Sequence, residues 1–291
     1  MLLLIGFLVV LLSAIGGFMV AGGNPVVLLH LSEFIVIGGI AIGIVIVASP
    51  ASTLVTLLHQ MKMAIKGSPA SKSDFLDLLM LLFELFSKAR RGGLVAIEDD
   101  IMSPAESAIL SRYPSFLNDT GKVEALRNSL RPVIDGRIRP DQLSGLLESE
   151  LESMEEHENQ PVHILQLVGD SLPGVGIVAA VLGIIITMSS ISEGPEKVGA
   201  KVAAALTGTF LGVFLAYGFV NPLAIKIKTN NAQHACYYNM IMLACVGFVN
   251  GMAPIMAVEV ARRSIPPNMR PTADEVEEKT KTLPKPDKGA A

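Results

Sequence analysis

The sequence predicts an all-α integral membrane protein with four transmembrane helices. Hydrophobic residues make up 51% of the 291 residues, and the mean hydropathy is positive at +0.51. The hydrophobic residues cluster into several long runs. A helix needs about 20 consecutive apolar residues to cross a bilayer, and these runs are of that length. A polar, charged segment separates the second run from the third, and another polar segment ends the chain. We therefore expect a large helical loop between the second and third spans and a polar C-terminal tail.

Two apolar runs lie at the N-terminal end of the sequence. We predict the first transmembrane helix over residues 1–22, a short loop over 23–33 and the second transmembrane helix over 34–59. The first run has the apolar character of a signal peptide, but no Lys or Arg precedes it and no clean cleavage site follows it. We therefore expect a retained transmembrane helix.

The rest of the chain alternates polar and apolar segments. We predict a mostly helical polar domain over 60–170, a third transmembrane helix over 171–192, a short loop over 193–200 and a fourth transmembrane helix over 201–226. For residues 227–291 we predict a helix followed by a disordered tail, because the end of the chain is rich in Pro, Lys and Glu.

One further apolar stretch, residues 239–263, is ambiguous. As a fifth span it would contain Pro254 and Glu259 and would end at a pair of arginines. The distribution of basic residues decides the matter, because Lys and Arg collect in cytoplasmic loops. The 23–33 loop has neither residue, whereas lysines follow both the second and the fourth span. We expect four spans, with both termini and the large loop in the cytoplasm.

The sequence contains no set of residues typical of an enzyme active site. The five histidines are scattered without ligand spacing, and the glycines form no phosphate-binding loop. Cys236 and Cys245 lie within one apolar stretch, at a spacing that suits neither a disulfide framework nor a metal site. We expect no enzymatic activity, no cofactor, no metal and no nucleic-acid partner.

The third and fourth predicted spans carry prolines and hydroxyl groups. Pro222 has apolar sequence on both sides and would bend its helix, whereas Pro173 also fits the first turn of a helix. Hydroxyls such as Thr209 and Tyr217 either bond to their own helix or line a narrow polar path. No Asp, Glu, Lys or Arg lies in the middle of a span, although ion translocation usually needs an ionisable group there. The chain is therefore either no conductor or depends on a partner for a carboxylate.

Four stretches of the sequence occur in the same order in a known family. They are ARRGGLVAIED in the polar domain, LPGVGIVAAVLGI in the third span, ALTGTFLGVFLAYGFVNPLA in the fourth, and NGMAPIMAVEVARR after it. In these stretches, and over nearly its whole length, the chain resembles the MotA family of flagellar motor stator subunits, within the wider group that includes ExbB and TolQ. The resemblance implies a multi-pass protein of the bacterial cytoplasmic membrane that converts ion-motive force into torque.

The resemblance also implies a partner. In the family, MotA-like chains surround a dimer of a MotB-like subunit whose single transmembrane helix carries a protonatable Asp, and five copies around two is the arrangement implied. A face of the third and fourth spans would then lie against the partner helix and the ion path. The residues of this face are Pro173, Gly176, Ala179, Ala180, Gly183, Thr209, Tyr217 and Pro222.

The translocated ion follows from the same resemblance. Sodium-driven relatives have a Thr where this chain has Ala180, so the resemblance implies that the ion is a proton. A sodium-driven stator is an alternative, and so is an ExbB- or TolQ-like transducer that energises an outer-membrane process, although those proteins typically have three spans. A scaffold or a carrier is a further alternative, but the sequence shows no convincing repeat of the kind that carriers have.

A charged segment of the polar domain, KARRGGLVAIEDD, is the second candidate site. Taken alone, the pattern is typical of a basic helix end, a Gly break and an acidic start to the next helix. The resemblance implies that Arg90 and Glu98 contact oppositely charged groups on the rotor protein FliG.

Overall fold

The computed structural model describes residues 2–67, 71–189 and 191–283, without the side chain of Glu193. Its α-helices, in chain order, are α1 (Leu2–Val20), α2 (Leu31–Ala48), α3 (Ala51–Lys66), α4 (Lys72–Gly92), α5 (Glu98–Met102), α6 (Pro114–Leu117), α7 (Thr120–Ile134), α8 (Leu143–Ser189), α9 (Pro195–Leu215), α10 (Asn221–Val249), α11 (Pro254–Ser264) and α12 (Ala273–Thr282). Short 3-10 turns connect several of these helices, and the described residues contain no strand. The predicted all-α class is confirmed.

The chain divides into two compact units, each built from two separate segments. The first unit comprises Met1–Ser68 and His157–Asn231, and the second comprises Pro69–Glu156 and Ala232–Ala291. The long helices α8 and α10 contribute one part to each unit. The first unit carries the apolar helices and the second carries the polar domain.

Four helical stretches are long and apolar enough to cross a membrane, as predicted. They are Leu2–Val20, Pro25–Ala48, Pro140–Ser189 and Pro195–Val249. The ambiguous stretch 239–263 does not form a fifth span. It is instead divided between the end of α10 and α11, with a turn at Gly251, whose φ of 95° is a backbone conformation that glycine adopts readily.

Hydrogen-bonded ion pairs join three charged side chains within α11. Arg262 donates two hydrogen bonds to the Glu259 carboxylate, at 2.7 and 2.8 Å, and Arg263 donates a third at 2.7 Å. The hydrogen bonds from Arg262 lower the pKa of Glu259 to about 2, so this carboxylate stays ionised. A charged triad of this kind explains why the segment is a poor membrane span.

The second predicted transmembrane helix, 34–59, is wrong in its extent, because the structure breaks it into two helices. α2 ends at Ala48, Ser49 is extended with φ −129° and ψ 135°, and Pro50 precedes the first residue of α3. Proline disfavours a helical conformation in the residue before it, and its ring blocks continuation of the preceding helix. The apolar span therefore ends with α2 at Ala48, and α3 is a separate amphipathic helix.

The third and fourth predicted helices are longer than expected. α8 begins at Leu143 instead of 171 and continues through Pro173, which therefore lies inside the helix and not in its first turn. α9 begins at Pro195 instead of 201, and the chain then passes through one π-helical turn, Ala216–Val220, into α10. Pro222, which lacks an N–H, is the second residue of α10, after Asn221. A π turn next to a proline is a known way for a helix to absorb the missing hydrogen bond.

Glycines bring α8 and α9 into backbone contact within the first unit. A Cβ atom placed on Gly176 would lie 2.8 Å from the carbonyl oxygen of Gly208 and 3.1 Å from the Cα of Gly212. Further along α8, a Cβ on Gly183 would lie 2.8 Å from the Cβ of Ala205. In lipid, helices associate through van der Waals contact and not through the hydrophobic effect, so small residues at the interface are decisive. The helix pair depends on them.

The second unit has a conventional apolar core. α4 begins at a capping box formed by Ser71 and Asp74 and buries most of its apolar residues against α10 and α11. The rings of Phe86 and Phe248 stack with centroids 4.4 Å apart and planes 3° from parallel. Burial of this kind in water is driven by the hydrophobic effect, unlike the packing of α8 on α9.

The predicted disordered tail is wrong for residues 265–283. Thr272 caps α12, and Lys72 of α4 forms an ion pair with Glu275 at 2.7 Å. Val276 is buried, and Lys279 pairs with Asp77 of α4 at 3.1 Å. The high charge of this segment is therefore used to dock a helix. Residues 284–291 of the predicted tail lie outside the described residues.

The contact of α8 with α9 gives a first prediction. We expect Gly176→Ala to destabilise the protein by about 1–3 kcal/mol, because the new methyl group overlaps the α9 backbone. Gly174→Ala is the matched control, since a Cβ there meets nothing within 4 Å and alanine is the better helix former. The apparent midpoint of thermal unfolding of the purified protein in detergent measures both. Equal midpoints for the two variants would contradict the role of Gly176.

Candidate functional site

The eight residues predicted to face the ion path fall into three groups by exposure. Gly176, Ala179 and Ala180 are buried within the chain; Pro173, Gly183 and Thr209 are partly exposed; Tyr217 and Pro222 are exposed. Gly176 and Gly183 both pack against α9 of the same chain, a contact that the sequence did not reveal. Their contact with a partner helix stays a prediction. The exposed members of the set remain available to another chain.

Two hydroxyl groups in these helices bond to their own backbone. Thr187 donates to the carbonyl of Gly183 at 2.8 Å, and Thr207 donates to the carbonyl of Ala203 at 3.1 Å. Such bonds satisfy a hydroxyl without any further ligand. Thr187 and Thr207 are therefore satisfied within their own helices, and the polar path at Thr209 and Tyr217 stays a prediction.

Glu33 joins this face and was missed by the sequence analysis. It lies in the first turn of α2 with only 6% of its surface exposed. A Cβ placed on Gly208 of α9 would lie 2.6 Å from Glu33 Oε2, 3.2 Å from the Cβ of Ala179 and 3.3 Å from the backbone nitrogen of Ala180. A signal was available, because Glu33 is the only Asp, Glu, Lys or Arg before Lys62. It was overlooked because it stands at a helix start and not in mid-span.

The charged segment of the polar domain contains one sharp bend, between the end of α4 and the start of α5. α4 ends at Gly92, and Gly93 has a φ of 79°, a conformation that glycine adopts without a steric penalty. A 3-10 turn and the short helix α5 follow. Arg90 is exposed and Glu98 is half-buried, and neither forms an ion pair within the described part of the chain.

Two neighbouring charges in the same segment have a structural role. Lys88 pairs with Asp100 at 2.7 Å, and the hydroxyl of Ser107 donates to the other oxygen of Asp100 at 2.6 Å. The Asp100 side chain is only 7% exposed. A buried carboxylate is tolerated when it is paired and hydrogen-bonded, as this one is. Asp100 thus fixes the bend between α4 and α5, while Arg90 and Glu98 stay accessible.

A second anchor lies beside it. The Tyr113 hydroxyl donates to Glu84 at 2.6 Å, and Arg112 pairs with the same carboxylate. Burial is the first cause that raises the pKa of Tyr113 above its ordinary value, followed by the hydrogen bond to Glu84. The phenol is therefore a neutral donor, which holds the 104–117 region against α4.

Two protein families match most of the chain. The family described as Motility protein A N-terminal matches residues 4–93. The MotA/TolQ/ExbB proton channel family matches residues 118–240. The second match contains α8, α9 and the buried contact between them.

Comparison with individual proteins agrees with the family matches. Motility protein A of Salmonella typhimurium is 35% identical over 286 residues, which is 98% of this chain and 97% of that protein. Among solved structures, C. jejuni MotAB superposes with a TM-score of 0.76 at 23% identity and covers 91% of this chain and 96% of that one. The flagellar MotAB stator complex from Bacillus subtilis gives 0.73 at 22% identity and covers 92% and 97%. These structures share the fold.

The fold and the matches define a multi-pass inner-membrane protein of the proton channel type. Within that class, the chain belongs to the motility protein A family.

The anchoring of the charged segment gives a second prediction. We expect Asp100→Ala to destabilise the protein by about 1–3 kcal/mol, because it leaves the Ser107 hydroxyl and the Lys88 ammonium unpaired. Asp99→Ala removes the neighbouring, exposed carboxylate and should change stability by no more than about 0.5 kcal/mol. Thermal unfolding midpoints in detergent compare the two. A larger loss for Asp99→Ala would show that the assignment is wrong.

Proposed function

We propose that the chain is the ion-channel subunit of a flagellar stator, which couples ion flow across the membrane to torque on the rotor. The observation that carries the proposal is the match to Motility protein A along 98% of the chain. The protein acts without covalent chemistry: its role is to change shape when an ion passes.

A MotB-like subunit is the proposed partner, as the names of the two MotAB structures suggest. Five copies of this chain around two partner chains is the proposed arrangement. The exposed surface of the first unit supports the presence of a partner helix. Tyr217 is 66% exposed, Pro222 and much of α1 are exposed as well, and an apolar surface of this extent fits lipid or another membrane helix.

The proposed topology places both termini and the polar domain in the cytoplasm. Lys62 and Lys66 of α3, and Lys226 and Lys228 of α10, then lie on the cytoplasmic side, in agreement with the bias of basic residues toward that side. The connection between α1 and α2 is residues 21–30 instead of the predicted 23–33, because α2 begins at Leu31; it has no Lys or Arg and lies on the periplasmic side in this topology.

The proposed ion is a proton, and no cofactor is involved. Ala180 offers no side-chain oxygen, whereas a sodium ion needs several oxygens to replace its hydration shell. A proton needs only one oxygen, which the partner's Asp supplies.

The proposed mechanism starts with the charge of that Asp. A charged side chain is costly at membrane depth, and protonation removes the cost, so each proton that arrives or leaves changes which packing of α8 and α9 is favoured. Pro161 and Pro173 inside α8, and the π turn before Pro222, interrupt the regular hydrogen bonding of the described helices. Bending there carries the motion toward the polar domain.

The rotor contact is proposed at Arg90 and Glu98. Both are accessible, and the Lys88–Asp100 pair holds the segment that carries them. Exposed ion pairs contribute at most about 1 kcal/mol each. They are therefore suited to steering and aligning a moving contact with FliG, and not to holding it permanently.

The first functional test is a deletion of this gene in the source organism. We expect cells that build flagella but do not rotate them, because a stator supplies torque and not filament assembly. The matched test of the ion is to replace sodium by potassium in the medium, which should leave the native strain swimming. Flagellated cells that swim after the deletion would contradict the proposal, and a strain that stops without sodium would overturn the assignment of the proton.

Charge reversal tests the rotor contact. We expect Arg90→Glu or Glu98→Lys to reduce swimming strongly, and a compensating charge on the rotor protein to restore it. Arg139→Glu is the control, because Arg139 is an exposed arginine of the same unit whose ion-pair partner among the described residues is the exposed Asp141. Immunoblots of the membrane fraction check that each variant accumulates. If the Arg139 variant swims as poorly as the Arg90 variant, the contact is not local to this segment.

A further inference from the structure

The first unit contains one buried carboxyl group that the proposed mechanism does not use. Glu33 Oε2 is buried and has no hydrogen-bond partner among the described residues. The other oxygen accepts one long hydrogen bond, at 3.5 Å, from the hydroxyl of its neighbour Ser32. A buried carboxyl is normally paired or fully hydrogen-bonded, so this one needs an explanation.

The carboxyl lies where three helices meet. Glu33 belongs to α2 and its Oε2 lies against Gly208 of α9, and Gly208 in turn lies against Ala179 and Ala180 of α8. A side chain at position 208 would occupy the space that the carboxyl now fills, since its Cβ would lie 2.6 Å from Oε2. Gly208 therefore makes room for this group, next to the face predicted to meet the partner's Asp.

Few other titratable groups approach this point. His30 lies one turn earlier, and its Nδ1 is also buried without a hydrogen-bond partner among the described residues. On α9, Lys201 and Lys197 lie seven and eleven residues before Gly208, and Asp170 lies nine residues before Ala179 on α8. The stretches of α2, α8 and α9 that surround the carboxyl carry no other Asp, Glu, Lys or Arg.

We propose that Glu33 is a proton-binding group of the ion path, which passes protons between the periplasmic side and the carboxylate of the partner. This inference rests on the proposed function. Oε2 is buried and has no hydrogen-bond partner among the described residues, so this oxygen is free to take up a proton. When a hydronium ion on the periplasmic side gives up a proton, one of its O–H bonds breaks and an O–H bond forms on Oε2. When the proton moves on, that bond breaks and an O–H bond forms on the carboxylate of the partner.

The surroundings of Oε2 also favour a proton over a metal cation. Gly208, which Oε2 contacts, and Ala179 and Ala180, which lie against Gly208, contribute no side-chain oxygen; the Ser32 hydroxyl lies 3.5 Å from the other carboxyl oxygen. A sodium ion would need several further ligands in place of water. A proton needs only the single unpartnered oxygen.

The test is the rotation speed of tethered cells that carry Glu33→Gln as the only copy. Gln keeps the size of the side chain but cannot bind and release a proton. We expect the speed to fall by about tenfold, because a positioned proton-transfer group typically contributes at least that much to a proton-transfer step. The control, Glu196→Gln, removes an exposed carboxylate in the first turn of α9 and should rotate at the native speed.

Further readouts separate proton transfer from a structural role. Glu33→Asp keeps a carboxyl group and should recover most of the speed, with a changed dependence on external pH and a changed ratio of speeds in H2O and D2O. Gly208→Ala should displace the carboxyl and slow rotation, and adding Glu33→Gln to it should cause little further loss.

The possible results decide the inference separately from the proposed function. Native speed and a native pH profile in Glu33→Gln, in a strain that the gene deletion paralyses, would overturn the inference alone. If Glu33→Gln fails to accumulate in the membrane, Glu33→Asp decides: an altered pH profile and isotope ratio support proton transfer, and native values overturn it. If the gene deletion leaves rotation intact, the proposed function fails first.

Discussion

The backbone contact between α8 and α9 is the constraint on which the first unit depends. Lipid offers no hydrophobic drive for two apolar helices to associate, so the association must come from close van der Waals contact. Gly176, Gly208 and Gly212 allow it, because a single methyl group on any of them would overlap the opposite helix or the side chain of Glu33. Gly208 also leaves the space that the carboxyl of Glu33 fills. The packing of α8 on α9 and the proposed proton-binding site therefore share Gly208.

The second unit differs from the first, because it combines a buried apolar core with charged side chains that stay accessible to water. Its apolar core forms by hydrophobic burial around α4. Asp100 is buried and paired, so the bend at Gly93 has a fixed geometry. Arg90 and Glu98 are presented from that fixed bend. For the proposed rotor contact this is an advantage, because a preorganised surface loses less conformational entropy on binding.

Local sequence signals were reliable where one strong physical effect acts alone. Long apolar runs located the spans, and basic residues with a Glu beside them marked 239–263 as something other than a span. Signals failed where two effects compete. The apolar run 34–59 looked continuous by hydropathy, although Pro50 divides it, and Pro173 suited a helix start, although α8 continues through it. The charged C-terminal segment looked disordered because its ion pairs with α4 join residues about two hundred positions apart.

The sequence by itself determined the class of the protein, the number of its spans, its family resemblance and the residues worth testing, because hydropathy and short motifs are local properties of the chain. Only the tertiary structure decided which small residues serve packing within the chain, which charges are anchors and which are exposed, and that Glu33 lies among α2, α8 and α9. These properties depend on distances between residues far apart in sequence. Glu33 and Gly208 are separated by 175 positions, and no local pattern records that they touch.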